Sequence, residues 1–213
     1  SIDMAMDFGN MLSMIVCQDD GRIFRCLKEF YSLPPEWVRE IADKFLDYFR
    51  PHKQKVIKFY YDRSGNNYGR SKQSMALQMK EAIEKDGTGA KTGWRVQLMS
   101  LGQGNIPMAD EYIFMRELMS GHNPLLPELQ IDAIHCRHLK AALELTRTTV
   151  DAMKRVGKDK SAEKSSDPKR LVESTNFTDA FKYALMRKTW ADIVKRGITS
   201  GLPGGAVGDV SVR

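Results

Sequence analysis

Residues 1–32 read SIDMAMDFGNMLSMIVCQDDGRIFRCLKEFYS, and the fold follows from how this stretch alternates. Ile2, Met4, Met6 and Phe8 take every second position, and Ser1, Asp3, Ala5 and Asp7 take the others. That is the period of a β-strand with an apolar and a mixed face. Gly9-Asn10 turns the chain and MLSMIVCQ continues as a second strand. Asp19-Asp20-Gly21 is a hairpin signal leading into a third strand, RIFRCLKEFYSL. Three successive antiparallel strands open the chain.

Downstream the period changes. Pro34-Pro35-Glu36 starts a helix in which Trp37, Ile41, Phe45 and Tyr48/Phe49 recur at three-to-four spacing until Pro51. KVIKFYYD is a fourth strand, and a helix from about Ser71 to Lys85 ends at Gly87/Gly89. WRVQLMSL is a fifth strand, and the loop GQGNIP precedes a helix carrying Tyr112, Ile113, Met115 and Leu118. LQIDAIHC is a short extended segment, followed by a helix through HLKAALEL and onward to Met153. Residues 157–170, rich in Lys and Ser, read as a mobile loop. Thr175 or Thr178 caps a last helix, TDAFKYALMRKTWADIVKR. The order βββαβαβα predicts an α/β fold: a mixed sheet of five or more strands, part antiparallel and part parallel, with helices on both faces. One domain is expected over 1–196, with a flexible tail over 197–213.

At 213 residues and 42% hydrophobic content, one substantial core is expected. No apolar run approaches the ~18 residues of a membrane span, and the amino end lacks a signal-peptide layout, so a soluble protein without a membrane partner is expected. The start at Ser1 rather than Met suggests a domain cut from a longer chain. Cys17, Cys26 and Cys136 are odd in number and widely spaced, which predicts a reducing compartment and no disulfide framework. His135, Cys136 and His138 invite a zinc reading, but no second cluster completes about four ligands, and a partly buried helix start accounts for them. Lys and Arg number 17 against 18 Asp and Glu in 1–136, and 15 against 8 in 137–196. Late basic charge of this kind suits either a polyanion or a solvated helix face.

Between Arg50 and Lys72 the only acid is Asp62, in FYYDRSGNNYG (59–69). If strand four lies parallel beside strand one, with strand two on the other side, their connections diverge and a crevice opens at their carboxyl ends. Asp7 and Asp62 both end there. Two carboxylates so placed repel unless a cation lies between them, and a hard divalent metal suits oxygen ligands. Asp3 shares the face of Asp7 but lies about 13 Å back at ~3.3 Å per residue, so a salt-bridged or solvated role is expected for it. Asp110, Glu111 and Asp132 follow strand or loop ends and are weaker alternatives for the site, with first-turn helix charge or an ordinary surface acid as the favoured reading. Asp179 lies in the first turn of the last helix, where capping and site roles are equally open.

Met6-Asp7-Phe8-Gly9, Tyr61-Asp62-Arg63-Ser64-Gly65 and Thr178-Asp179-Ala180-Phe181-Lys182-Tyr183-Ala184, in this order of elements, resemble the ribonuclease H-like fold. More narrowly they resemble the nuclease domain of the large terminase subunit of tailed bacteriophages, over about residues 1–190. The resemblance implies that Asp7, Asp62 and Asp179 are catalytic and hold two Mg²⁺ or Mn²⁺ ions at a DNA phosphodiester. Asp7 would bridge both ions, and Asp62 and Asp179 would each complete one site. It further implies a double-stranded DNA substrate, genome packaging in the cytoplasm of a phage-infected host, an upstream ATPase motor domain, and a portal and small terminase subunit as partners. Two departures stand out. Family members often carry a His where this chain has Asn176, and no GxxxxGK[ST] phosphate loop occurs, so this chain alone is not expected to hydrolyse ATP.

Basic residues flank these acids. Arg63, Arg70 and Lys72 in the loop after Asp62 are the expected phosphate contacts. Lys158 and Lys160, with Lys164, Lys169 and Arg170, would clamp a duplex independently of sequence. Gly102 and Gly104 of GQGN permit close backbone approach, or simply a tight turn. The competing readings are a junction resolvase or transposase core built on the same acids, and a non-catalytic module docking DNA or a portal. A nucleotide-binding domain is disfavoured, because Asp7-Phe8-Gly9-Asn10 leads into a strand rather than a helix amino end.

Overall fold

The computed structural model describes residues 1–9, 11–34, 36–66, 73–102, 108–150, 156–165, 167, 169–170 and 175–188. Its centre is a six-stranded sheet. Strands β1 (Ile2–Phe8), β2 (Leu12–Asp19) and β3 (Ile23–Ser32) are consecutive and antiparallel. Strands β4 (Val56–Tyr61), β5 (Arg95–Leu98) and β6 (Glu128–Ile131) each join an existing strand in parallel: β4 on β1, β5 on β4, and β6 on β3. The order is β5-β4-β1-β2-β3-β6. The LQIDAIHC segment thus supplies a sixth, edge strand.

The alternation in 1–9 decides which side chains meet which helices. Met4 and Met6 pack with Met14, Val16, Ile57, Phe59 and Tyr61 beneath helices α1 (Val38–Tyr48) and α2 (Met75–Glu84), which contribute Ile41, Phe45, Met79 and Ile83. On the other face Ala5, Ile15, Phe24 and Tyr60 lie under α3 (Met108–Ser120), α4 (Arg137–Leu145) and α5 (Asn176–Met186), through Phe114, Leu139, Phe177 and Phe181. Asp3, Ala5 and Asp7 therefore face α5. Strand order, strand directions and helices on both faces make this an α/β, ribonuclease H-like sheet.

Several boundaries differ from expectation. Helix α2 starts at Met75, because the Ser74 hydroxyl caps it by accepting from the Leu77 N–H. Helix α4 ends at Leu145 instead of continuing toward Met153. The β-branched run beyond it favours extended backbone. Strand β7 (Thr148–Val150) pairs there with β8 (Val156–Lys158) as a separate antiparallel ladder. The segment 157–170, expected to be a mobile loop, instead contributes β8 and a 3-10 turn at Ser161–Lys164. Composition misleads there because Lys158 and Lys160 are held by the distant Asp179, and Lys158 by Glu111 as well. At the start of α5 Thr175 occupies the cap position without a side-chain capping bond, and the Thr178 hydroxyl donates to the Thr175 carbonyl. The carboxyl-terminal part of the expected last helix and the tail, 189–213, lie outside the described residues.

Candidate functional site

Strands β1 and β4 run in parallel register up to Met6 beside Tyr61. Asp7 and Asp62 are the next residues on strands spaced about 4.8 Å apart. Beyond Asp62 the chain turns at once: the Gly65 N–H donates to the Asp62 carbonyl at 2.9 Å, closing a 3-10 turn over Arg63–Asn66. Asn66 anchors this turn by accepting from the Tyr61 hydroxyl at 2.9 Å and donating through Nδ2 to the Ser100 carbonyl at 3.3 Å. The Ser100 hydroxyl in turn accepts from the Tyr61 N–H. Gly65 is required by packing, since a Cβ there would fall 2.6 Å from Phe8 Cε2 and 2.9 Å from Tyr61 Cδ2.

Helix α5 brings the third acid. Ser13, opposite Asp7 in the β1–β2 ladder, donates its hydroxyl to the Asn176 carbonyl at 3.0 Å and fixes the amino end of α5 over the end of β1. A Cβ on Gly9 would lie 3.0 Å from Asn176 Oδ1 and 3.2 Å from Asp7 Oδ2, so glycine lets strand end and helix start close on each other. Asn176, at the position where a histidine was the family expectation, is buried beside the Asp7 carboxylate. Asp179, one turn along, is 2% exposed.

The charges converge on one phenol. Burial raises the Tyr183 hydroxyl pKa far above its ordinary value, and Asp7, Asp62, Asp179 and Glu111 all add to that rise. The Tyr183 hydroxyl thus feels the charge of all four carboxylates. Burial pushes the Asp7 carboxyl up to about 7, with the Asp179 charge as the next contribution. Asp179 is opposite: burial would raise it, but Lys182, Lys158 and Lys160 together hold it well below the carboxylate range. Lys158 Nζ lies 2.9 Å from Asp179 Oδ1, Lys182 Nζ 3.1 Å from the same oxygen, and Lys160 Nζ 2.7 Å from Oδ2.

The three expected aspartates thus share one neighbourhood. Among the described residues, however, no three His, Cys, Asp or Glu side chains are gathered closely enough to hold a metal ion between them. Ammonium groups take the Asp179 oxygens instead. An oxygen-only donor set, a desolvated Asp7 that the Asp179 charge further disfavours and Lys160 only partly offsets, and internal cations already drawn to Asp179 fit a site that takes a hard divalent cation.

The other candidates sort clearly. Asp3 is salt-bridged, 2.5 Å from Lys188 Nζ, which also lies 3.1 Å from Asp19. Asp132 accepts from the Ile134 and His135 N–H groups at the surface. Glu111 departs from its surface reading: it is buried at the start of α3 and bound to Lys158 and Lys182. Lys182 and Tyr183 were not singled out as site residues, and an Asp-x-x-Lys-Tyr spacing on one helix face was the available signal. Lys158 and Lys160, expected to grip a duplex, point their ammonium groups at Asp179. Lys160 remains half exposed. Arg70, Lys72 and Gly104 lie outside the described residues.

The cysteine and histidine cluster is structural. Cys17, Cys26 and Cys136 are buried, with Cys17 and Cys26 Sγ 3.8 Å apart. His138 Nδ1 lies 2.6 Å from Glu29, whose carboxylate also accepts from the His138 and Leu139 N–H groups at the start of α4.

No helix among the described residues is long and apolar enough to cross a membrane. No protein-family model and no curated protein matches the sequence. Solved structures do resemble the chain. The large terminase nuclease domain of bacteriophage SPP1 with bound Mn aligns at 16% identity, covering 88% of this chain and 86% of that one, with a TM-score of 0.49. A large terminase from a thermophilic bacteriophage aligns at 10% identity over 87% of this chain and 38% of its own, with a TM-score of 0.49. The large terminase nuclease domain of bacterial virus Sf6 with manganese aligns at 11% identity, covering 87% and 88%, also at 0.49. The ribonuclease H-like assignment itself stands on strand order and direction, which this chain displays on its own.

Proposed function

We propose that this chain is a divalent-metal-dependent endodeoxyribonuclease, the nuclease portion of a phage large terminase that cuts concatemeric viral DNA during packaging in the host cytoplasm. One observation carries the reading: Asp7 and Asp62 end adjacent parallel strands, and Asp179 is set against them by the α5 helix that Ser13 fixes in place. Asp7, Asp62 and Asp179 would hold two Mg²⁺ or Mn²⁺ ions, which when bound make a water nucleophilic near neutral pH and stabilise the leaving oxygen of a phosphodiester.

The chain's own residues do the rest. Burial around Asp7 and Tyr183 limits water, so charges act at low dielectric. Asn66 and Ser100 hold the turn after Asp62, leaving its carboxylate at the strand end. Arg63, Arg70 and Lys72 are the proposed phosphate contacts beside the cut, with the half-exposed Lys160 as a further one, whereas Lys158 is turned inward onto Asp179 and Glu111. The motor domain, the portal and the small terminase subunit are the proposed partners.

Purified protein with Mn²⁺ or Mg²⁺ is expected to nick or cut plasmid DNA with little sequence preference, and Asp62→Asn to abolish cutting while sparing DNA binding. Intact plasmid in both metals with folded protein would overturn the reading. Preference for a four-way junction over linear duplex would instead favour a resolvase.

A further inference from the structure

The lysines on Asp179 are each shared with a second acid. Lys158 Nζ, 2.9 Å from Asp179 Oδ1, is 2.6 Å from Glu111 Oε1. Lys182 Nζ, 3.1 Å from Asp179 Oδ1, is 3.1 Å from Glu111 Oε2. Two acids and two ammonium groups close a ring, and the Glu111 and Asp179 side chains in it are 6% and 3% exposed. Lys160 is shared in the same way between Asp179 Oδ2 and Glu163 Oε1, at 2.7 and 3.1 Å. Three positive groups thus face three negative ones, and the cluster is balanced.

This balance governs what else can bind. A cation approaching Asp179 has to displace ammonium groups from its oxygens, and a buried ammonium released without a partner is strongly unfavourable. Glu111 removes that obstacle for two of the lysines, since each already touches one of its oxygens and needs no large movement to stay paired. Its place on α3, apart from the strand ends and from α5, keeps it available when Asp179 changes partner.

We propose that Glu111 is a positioning residue of the metal site: it retains Lys158 and Lys182 when a divalent cation takes Asp179, and so sets the affinity of the site for that cation. The proposal rests on the nuclease reading only in taking Asp179 as a ligand. Two rival roles for Glu111, direct metal ligand and purely structural acid, make different predictions.

The test is Mn²⁺ titration of the full 213-residue chain by calorimetry, with thermal melting of each variant in chelator to confirm folding. Glu111→Gln strands two lysines beside the incoming cation, and affinity is expected to fall ~10-fold, the change equivalent to one pairwise charge effect of about 1.4 kcal/mol. Lys158→Met removes a competitor, and affinity is expected to rise. The double variant Glu111→Gln/Lys158→Met restores the charge balance and is expected within about threefold of wild type, as is Glu111→Asp. A double variant as weak as Glu111→Gln makes Glu111 a ligand or scaffold and overturns the proposal. Unchanged affinity in Glu111→Gln, or no gain in Lys158→Met, overturns it too. If Glu111→Gln does not fold, the Lys158→Met and Glu111→Asp results decide. Wild-type protein that takes up no Mn²⁺ removes the metal-site reading itself, whereas wild-type binding with unresponsive variants removes only the role of Glu111.

Discussion

Ser13 and Asn176 are joined by a buried hydrogen bond, hydroxyl to carbonyl at 3.0 Å, between the strand that pairs with Asp7 and the helix that carries Asp179. Ser13→Ala is expected to lower unfolding free energy by ~1–2 kcal/mol in urea titration, the range for losing a buried hydrogen bond. It should also reduce plasmid cutting, because the two acids lose a common tether. A variant with the wild-type midpoint and full cutting would show that the tether does not position Asp179.

Gly65 lies where the turn after Asp62 packs on Phe8 and Tyr61. In Gly65→Ala the new methyl meets both rings below contact distance, and neither ring can move freely inside the sheet's apolar face. Destabilisation of ~1–3 kcal/mol is expected, typical of overpacking. Displacement of Asp62 should accompany it, read as weaker Mn²⁺ binding. Ala tolerated on both measures would mean that the turn relaxes without disturbing the strand end.

Lys188 pins the chain just after α5 to the far end of β1, with its ammonium against Asp3 and Asp19 and 5.2 Å from the centre of the Tyr60 ring. Lys188→Met leaves Asp3 buried without its main partner, and ~3–5 kcal/mol of stability is expected to disappear. Adding Asp3→Asn should return much of it. A double variant as unstable as the single one would locate the effect in packing, not charge.

Asp7 gives stability a definite pH dependence. Its folded pKa of about 7 exceeds the ordinary 3.8, so from about pH 4 to 7 the folded chain keeps a proton that the unfolded chain has released. Stability contributed by the neutral Asp7 carboxyl is therefore full below about pH 4 and is lost progressively as pH rises to about 7. In chelator, Asp7→Asn is expected to melt near wild type at pH 4 and increasingly above it up to pH 8. Identical pH slopes for the two proteins would place the Asp7 carboxylate in water rather than in the core.

Much of this was legible in the chain. Strict alternation in 1–9 told which face of β1 bears Asp3 and Asp7, because a period of two leaves no freedom in assigning sides. The three-to-four spacing of Ile41 and Phe45 marked α1, and the lone acid of FYYDRSGNNYG marked the end of β4. The strands that the parallel register unites were separable by local pattern alone. Where local pattern was weak, expectation failed: the Lys and Ser content of 157–170 suggested mobility, and Glu111 looked like any first-turn acid.

Local physics, acting over a few residues, determined the elements, their order and the two strand-end aspartates from sequence alone. Only the tertiary structure decided which charges face one another. Asp179 and Lys182 are neighbours at three-residue spacing on one helix, but Glu111 and Lys158 come from another helix and a short strand many residues away, and neither has a local reason to join them. Folding buries them together, and since a buried charge is tolerated only with a partner, their pairing is a property of the assembled core rather than of any segment in it.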